Sequence, residues 1–139
     1  MATSALGLVG TILFLSACST PVGHEPACGD NFQLSVSAGL TPEVSWTPNC
    51  TIYQLSIDSA PPPPPSRQAH FVWFLDSSLN NLGLPTNRIS SPVSYSSRPS
   101  GVVVRTEPRP LVHGVHYRLT LVVYSNDGLF ETHQLDFDP

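Results

Sequence analysis

The clearest signal in the chain is a period of two. Phe32-Gln33-Leu34-Ser35-Val36 alternates apolar and polar residues, which predicts a strand with one wet face. Thr41-Pro42 turns the chain into a second short strand, Glu43-Val44-Ser45-Trp46, and Thr47-Pro48-Asn49-Cys50 is the next turn. Thr51 to Ile57 follows as a third strand, with Tyr53, Leu55 and Ile57 on one face and Gln54 and Ser56 on the other. His70 to Asp76 is the most apolar stretch beyond the N-terminus and predicts a central strand buried on both faces. The connection Asp76 to Thr86 is expected to hold a short helical turn, capped by Asp76 or Ser77, with Leu79 and Leu82 inward. Ile89 to Tyr95 reads as an irregular edge segment because Pro92 interrupts it.

Ser100-Gly101 then turns into Val102-Val103-Val104-Arg105, and Glu107-Pro108-Arg109-Pro110 is a further proline-marked turn. The longest strand signal lies within Leu111 to Tyr124, where Tyr117, Leu119, Leu121 and Val123 alternate with Arg118, Thr120, Val122 and Tyr124. Ser125-Asn126-Asp127-Gly128 predicts a tight hairpin, with Leu129 to Phe137 returning as the last strand. Seven or eight short strands at this spacing predict an all-β fold, a two-sheet antiparallel β-sandwich. Between the third and fourth strands, Pro61 to Pro65 reads as a stiff, exposed loop, since proline cannot donate to a ladder.

The N-terminus follows a different pattern. Ala5 to Leu15 is an apolar run with Thr11 as its one polar residue. It has the length of a signal-peptide core and falls short of the ~20 apolar residues needed to span a bilayer. It closes on Leu15-Ser16-Ala17-Cys18, which resembles the lipobox of bacterial lipoproteins. The resemblance implies a thioether-linked diacylglycerol on Cys18, cleavage just before it, and further acylation of the new amino group. Residues 1–17 would then be a lipoprotein signal peptide, 18–27 the lipidated Cys with its tether, and 28–139 the sandwich domain. Met1 to Ser4 carries no Lys or Arg, a departure from the usual positive start. The alternatives are a plain secretory signal and a buried N-terminal helix, either with Cys18 free. By the sorting rule of Gram-negative lipoproteins, the resemblance further implies that Ser19, in place of Asp after the lipobox, favours the outer over the inner membrane. Ser19 to Ala27, with two Pro and a Gly, has no hydrophobic periodicity and reads as the tether.

Composition narrows the picture. Lys and Arg number 6 against 10 Asp and Glu, for a net charge of −4, so nucleic acid is not an expected partner. Charged residues make up only 12% of the chain, well below the common quarter. Residues 18–139 suit one domain with a sizeable core. With Cys18 assigned to lipid by the resemblance, Cys28 and Cys50 remain as an expected disulfide in an oxidising compartment. The alternative is two free thiols. No C-x-x-C is present to suggest zinc.

Pro42-x-Val44-x-Trp46, then Trp73, then Leu111-x-x-Gly114-x-x-Tyr117-x-Leu119-x-Leu121 resembles the fibronectin type III-like modules of bacterial surface proteins. That likeness implies a Tyr117 packed at the sandwich corner. Because Cys28 precedes the first strand, an immunoglobulin-type bridge through the core is not expected. No nucleophile elbow, phosphate loop, zinc-protease or EF-hand motif occurs. His113-x-x-His116 is the nearest approach to a metal pair, with His133 and Glu131 as further donors from the last strand. Residues three apart on a strand face opposite ways, so ordinary polar surface is the better reading. Asp136 and Asp138 lack the carboxylate density calcium wants. Trp46 and Trp73 suit a core better than a sugar platform.

The expectation is therefore a non-catalytic envelope protein held to the membrane by Cys18, without metal or cofactor. Its sandwich would serve as a structural module or meet an envelope protein partner. The alternative is a lipoprotein that binds a sugar, a peptide or an ion, marked by exposed Trp46, Trp73 or Tyr95. An enzyme would require His113, His116 and Glu131 to converge.

Overall fold

A computed structural model describes residues 28–59, 70–125 and 127–139. The expected signal peptide and tether, with Cys18, and the prolines 61–65 lie outside the described residues. Eight strands form in order: β1 (Gln33–Val36), β2 (Glu43–Thr47), β3 (Ile52–Ser59), β4 (Phe71–Ser77), β5 (Val93–Ser94), β6 (Val102–Thr106), β7 (Tyr117–Tyr124) and β8 (Phe130–Phe137). They make two antiparallel sheets, a small one ordered β1-β2-β5 and a large one ordered β6-β4-β3-β7-β8. The fold is a β-sandwich. Val44 and Trp46 from the small sheet face Leu55, Ile57, Trp73, Leu75, Leu119 and Leu121 from the large one, and all are buried. Each such side chain contributes roughly 1.5–3 kcal/mol on burial.

The period of two places β7 as expected: Tyr117, Leu119, Leu121 and Val123 point into the core. In β3 the expectation fails at one position. Ile52 pairs with Val123 and Gln54 with Val122, so a bulge at Tyr53 shifts the parity. Ile52 therefore joins Leu55 and Ile57 in the core, while the Tyr53 ring lies 4.8 Å from that of Phe130. β4 is second from the sheet edge rather than central. Trp73 and Leu75 are buried, whereas Phe71 and Phe74 are half-buried, their rings 4.9 Å apart. A second shift, between Ile57 and Asp58, sets Phe71 on the same outer face as Phe74.

The connection between β4 and β5 holds no helical turn. Leu79 bridges Pro85 and the Asn80 N–H donates to the Leu84 carbonyl at 2.8 Å, making a small hairpin-like excursion. Its tip is organised by the Asn80 side chain, whose Oδ1 accepts from Leu82 N at 2.9 Å and Leu84 N at 3.0 Å. A side-chain carbonyl thus does what helix backbone would have done, and Leu79 and Leu82 face outward instead of inward.

Candidate functional site

The strand register divides the sandwich into two ends of different chemistry. One end gathers the β2–β3 turn, the β4–β5 connection and the β7–β8 hairpin. It also receives the chain at Cys28. The Cys28 N–H donates to the Tyr124 carbonyl at 2.8 Å, and Cys28 is joined to Cys50 by a disulfide with Cα atoms 5.0 Å apart. The bridge ties the lead-in of β1 to the turn before β3, outside the sheets, as their order in the chain suggested. Both cysteines are buried. The hairpin there is closed by Ser125, whose Oγ donates to the Leu129 carbonyl at 3.0 Å and also contacts the Asp127 carboxylate. That contact, with the Leu129 N–H, holds the Asp127 carboxyl below its ordinary range.

The opposite end is organised by Tyr117. Leu111 and Tyr117 are buried, Gly114 takes a left-handed φ of 76°, and the Val112 N–H donates to the Tyr117 hydroxyl at 3.1 Å. Glycine meets that backbone requirement without steric cost. The turn projects its two histidines toward the end of β8. His113 Nδ1 lies 2.7 Å from the Pro139 carbonyl oxygen, and His116 Nδ1 lies 2.5 Å from Asp138 Oδ1. The Asp138 hydrogen bond raises the His116 pKa against the opposing pull of desolvation, with Asp136 adding to the rise. Arg118 grips Asp136 through two nitrogens at 2.7 and 3.1 Å, which holds the Asp136 carboxyl low. On the other side of Arg118, Asp58 is pushed up by burial against the pull of that guanidinium.

The histidine candidates do not converge. His116 adjoins Tyr117, which pairs with Phe137, whereas Glu131 pairs with Val123 at the far end of the same ladder. His133 shares the inner face with Leu121 and stacks on Phe32, ring centroids 4.3 Å apart, with Glu131 Oε2 at 3.7 Å. Among the described residues no group of three His, Cys, Asp or Glu side chains is placed to hold a metal ion. Trp46, Trp73 and Tyr95 are all buried, so none offers an exposed platform. The Tyr95 ring meets Trp73 edge-on at 5.1 Å and its hydroxyl donates to the Arg109 carbonyl at 2.5 Å. Burial, then the nearby Tyr117, pushes the Tyr95 pKa up to about 12.

Two features were missed from sequence. A shallow groove of about 340 Å³ runs between Leu40, Tyr95 and the Pro108–Leu111 segment. Its walls come from three separate connections, so no local pattern marks it. The second is the apolar tip of the β4–β5 connection. Its signal was present: Ser77 to Asn87 contains three leucines and no charge. No protein-family model, curated protein or solved structure matches the chain.

Proposed function

We propose that this chain is a lipid-anchored envelope protein whose β-sandwich acts as a non-catalytic structural or interaction module. The observation that carries the reading is Leu15-Ser16-Ala17-Cys18 at the end of an apolar run of signal-peptide length. The cysteine arithmetic supports it, since Cys28 and Cys50 pair with each other and leave Cys18 for the lipid. A disulfide also suits an exported, oxidising compartment. In this reading two or three acyl chains on Cys18 give firm membrane residence, where one would be marginal. The Tyr117 corner and the separate β1-β2-β5 sheet support a fibronectin type III-like module as its body. Loop tips and the unpaired sheet edges are the natural surfaces for an envelope partner.

The rival reading, a ligand-binding lipoprotein, draws on the groove beside Tyr95, but the three aromatic residues proposed as its platform are buried. The test is metabolic labelling with a fatty-acid analogue in a bacterial host, with membrane fractionation. The expected outcome is label on the wild-type chain and a membrane fraction released by detergent but not by salt. Cys18→Ala loses both. Equal fractionation of the two chains without label on either would refute the anchor.

A further inference from the structure

The end of the sandwich that receives Cys28 is also its most apolar end. Eight large apolar side chains are exposed among the described residues, and five of them are here: Leu79, Leu82, Leu84, Leu129 and Phe130. Leu82 is 82% exposed at the tip of the Asn80 turn, and Leu129 is 62% exposed in the β7–β8 hairpin. Phe130, half exposed, is held in place by the rings of Tyr53 at 4.8 Å and Tyr124 at 5.7 Å. Two loop tips from different parts of the chain thus present leucine outward, and tyrosines flank them. Tyrosine is a residue favoured where an apolar phase meets water.

Charge follows the opposite distribution. Residues 28–32, 47–51, 78–92 and 125–131, which build this end, contain only Asp30, Arg88, Asp127 and Glu131 as charged side chains. The other end carries His116, Arg118, Asp136 and Asp138 in a connected set of ion pairs. With no basic cluster at the apolar end, an anionic surface is not what it selects. A neutral, partly apolar one is.

We infer that this end lies against the lipid headgroup region of the membrane, with Leu82, Leu129 and Phe130 dipping into the interface. The inference rests on the anchor reading and deepens it. Ten residue steps separate Cys18 from Cys28, so the lipid attachment point lies within about 35 Å of the disulfide even at full extension. Cys28 is fastened to this end by the disulfide and by Tyr124, so the tether enters the domain at this end and not at the charged one. The protein would then stand on its loop tips, with the groove beside Tyr95 and the His116 end turned away from the lipid.

The test uses the mature, lipidated full chain in phosphatidylcholine vesicles, with and without dibrominated acyl chains, which quench tryptophan on contact. Both native tryptophans are buried and give a constant background out of reach of brominated lipid, so the difference from the parent chain isolates the added one. Leu82→Trp and Leu129→Trp are compared with Val112→Trp at the charged end, all at exposed positions that tolerate the change. Interfacial groups sit about 5–10 Å into the boundary, so the two apolar-end reporters should be blue-shifted and lose about twofold in intensity to brominated lipid. The Val112→Trp signal should not change, and added salt should leave the difference intact. Solvent-like, unquenched emission from Leu82→Trp and Leu129→Trp in chains whose Cys18 carries lipid by mass would overturn the inference and leave the anchor standing. A blue shift independent of bromination and growing with protein-to-lipid ratio would mean that a second copy covers this end, and would also overturn it. Absence of lipid on Cys18 would remove the anchor, and the inference with it.

Discussion

Replacing Cys28 and Cys50 together by alanine should destabilise the domain by about 3 kcal/mol. The bridge spans 22 positions, and the chain-entropy cost of closing a loop of that length gives a value near this figure. Both side chains are buried, so the alanine pair also loses some packing, and its effect should slightly exceed that of reduction alone. For a domain of this size the midpoint of thermal unfolding should fall by about 10–20 °C. Calorimetry on the oxidised, reduced and double-alanine proteins reads this directly. Urea titration adds an independent sign: without the cross-link the denatured chain expands, so the m-value should rise along with the loss of stability. Coincident melting of oxidised and reduced protein would refute the reasoning. It would mean that the turn before β3 and the lead-in to β1 are held as well in the denatured ensemble without the bridge as with it.

Four further outcomes follow from single contacts. Tyr117→Phe removes the acceptor of the Val112 N–H and should cost about 1 kcal/mol in chemical denaturation, with the sandwich retained by circular dichroism. Arg105→Met leaves the buried Asp76 carboxylate without the guanidinium now 2.8 Å away, at a cost of about 2 kcal/mol. Adding Asp76→Asn to that variant should recover part of the loss, as unfolding midpoints will show. For His116 the folded pKa lies above the ordinary 6.5, so its contact with Asp138 stabilises fully below that value and is lost as pH rises through the folded pKa. The stability difference between wild type and His116→Gln should accordingly shrink on the alkaline side of 6.5, and the His116 ring resonances should titrate above it by NMR. Asp136 runs the other way: its depressed pKa supports the fold above 3.8 and ceases to as pH falls through the folded value.

The sheets were legible in the sequence wherever one face is dry. Tyr117 to Val123 alternates without interruption, and its burial alternates with it. The hairpin after it was legible too, because Asp127-Gly128 is a local turn instruction. What escaped were the places where non-local register overrides the local period. The bulge at Tyr53 depends on how β3 meets β7, and it exchanges Ile52 for Tyr53 in the core. The β4–β5 connection escaped for a different reason. Leucines at 79 and 82 have helical spacing, but Asn80 caps the Leu82 and Leu84 amides with its own side chain and settles the segment as a tight turn. The two ends of the sandwich were written in the sequence only as scattered loops. Their contrast in charge emerges once the ladder of β7 on β8 shows which loops lie together.

The central claim, that the chain is held to a membrane through Cys18, is tested most directly by mass spectrometry of the mature N-terminal peptide from a lipoprotein-processing host. The account predicts a peptide that begins at Cys18 and carries the mass of a diacylglyceryl group, with or without a further acyl chain. A peptide that runs through Leu15-Ser16-Ala17-Cys18 uncut, with an unmodified thiol, would contradict it.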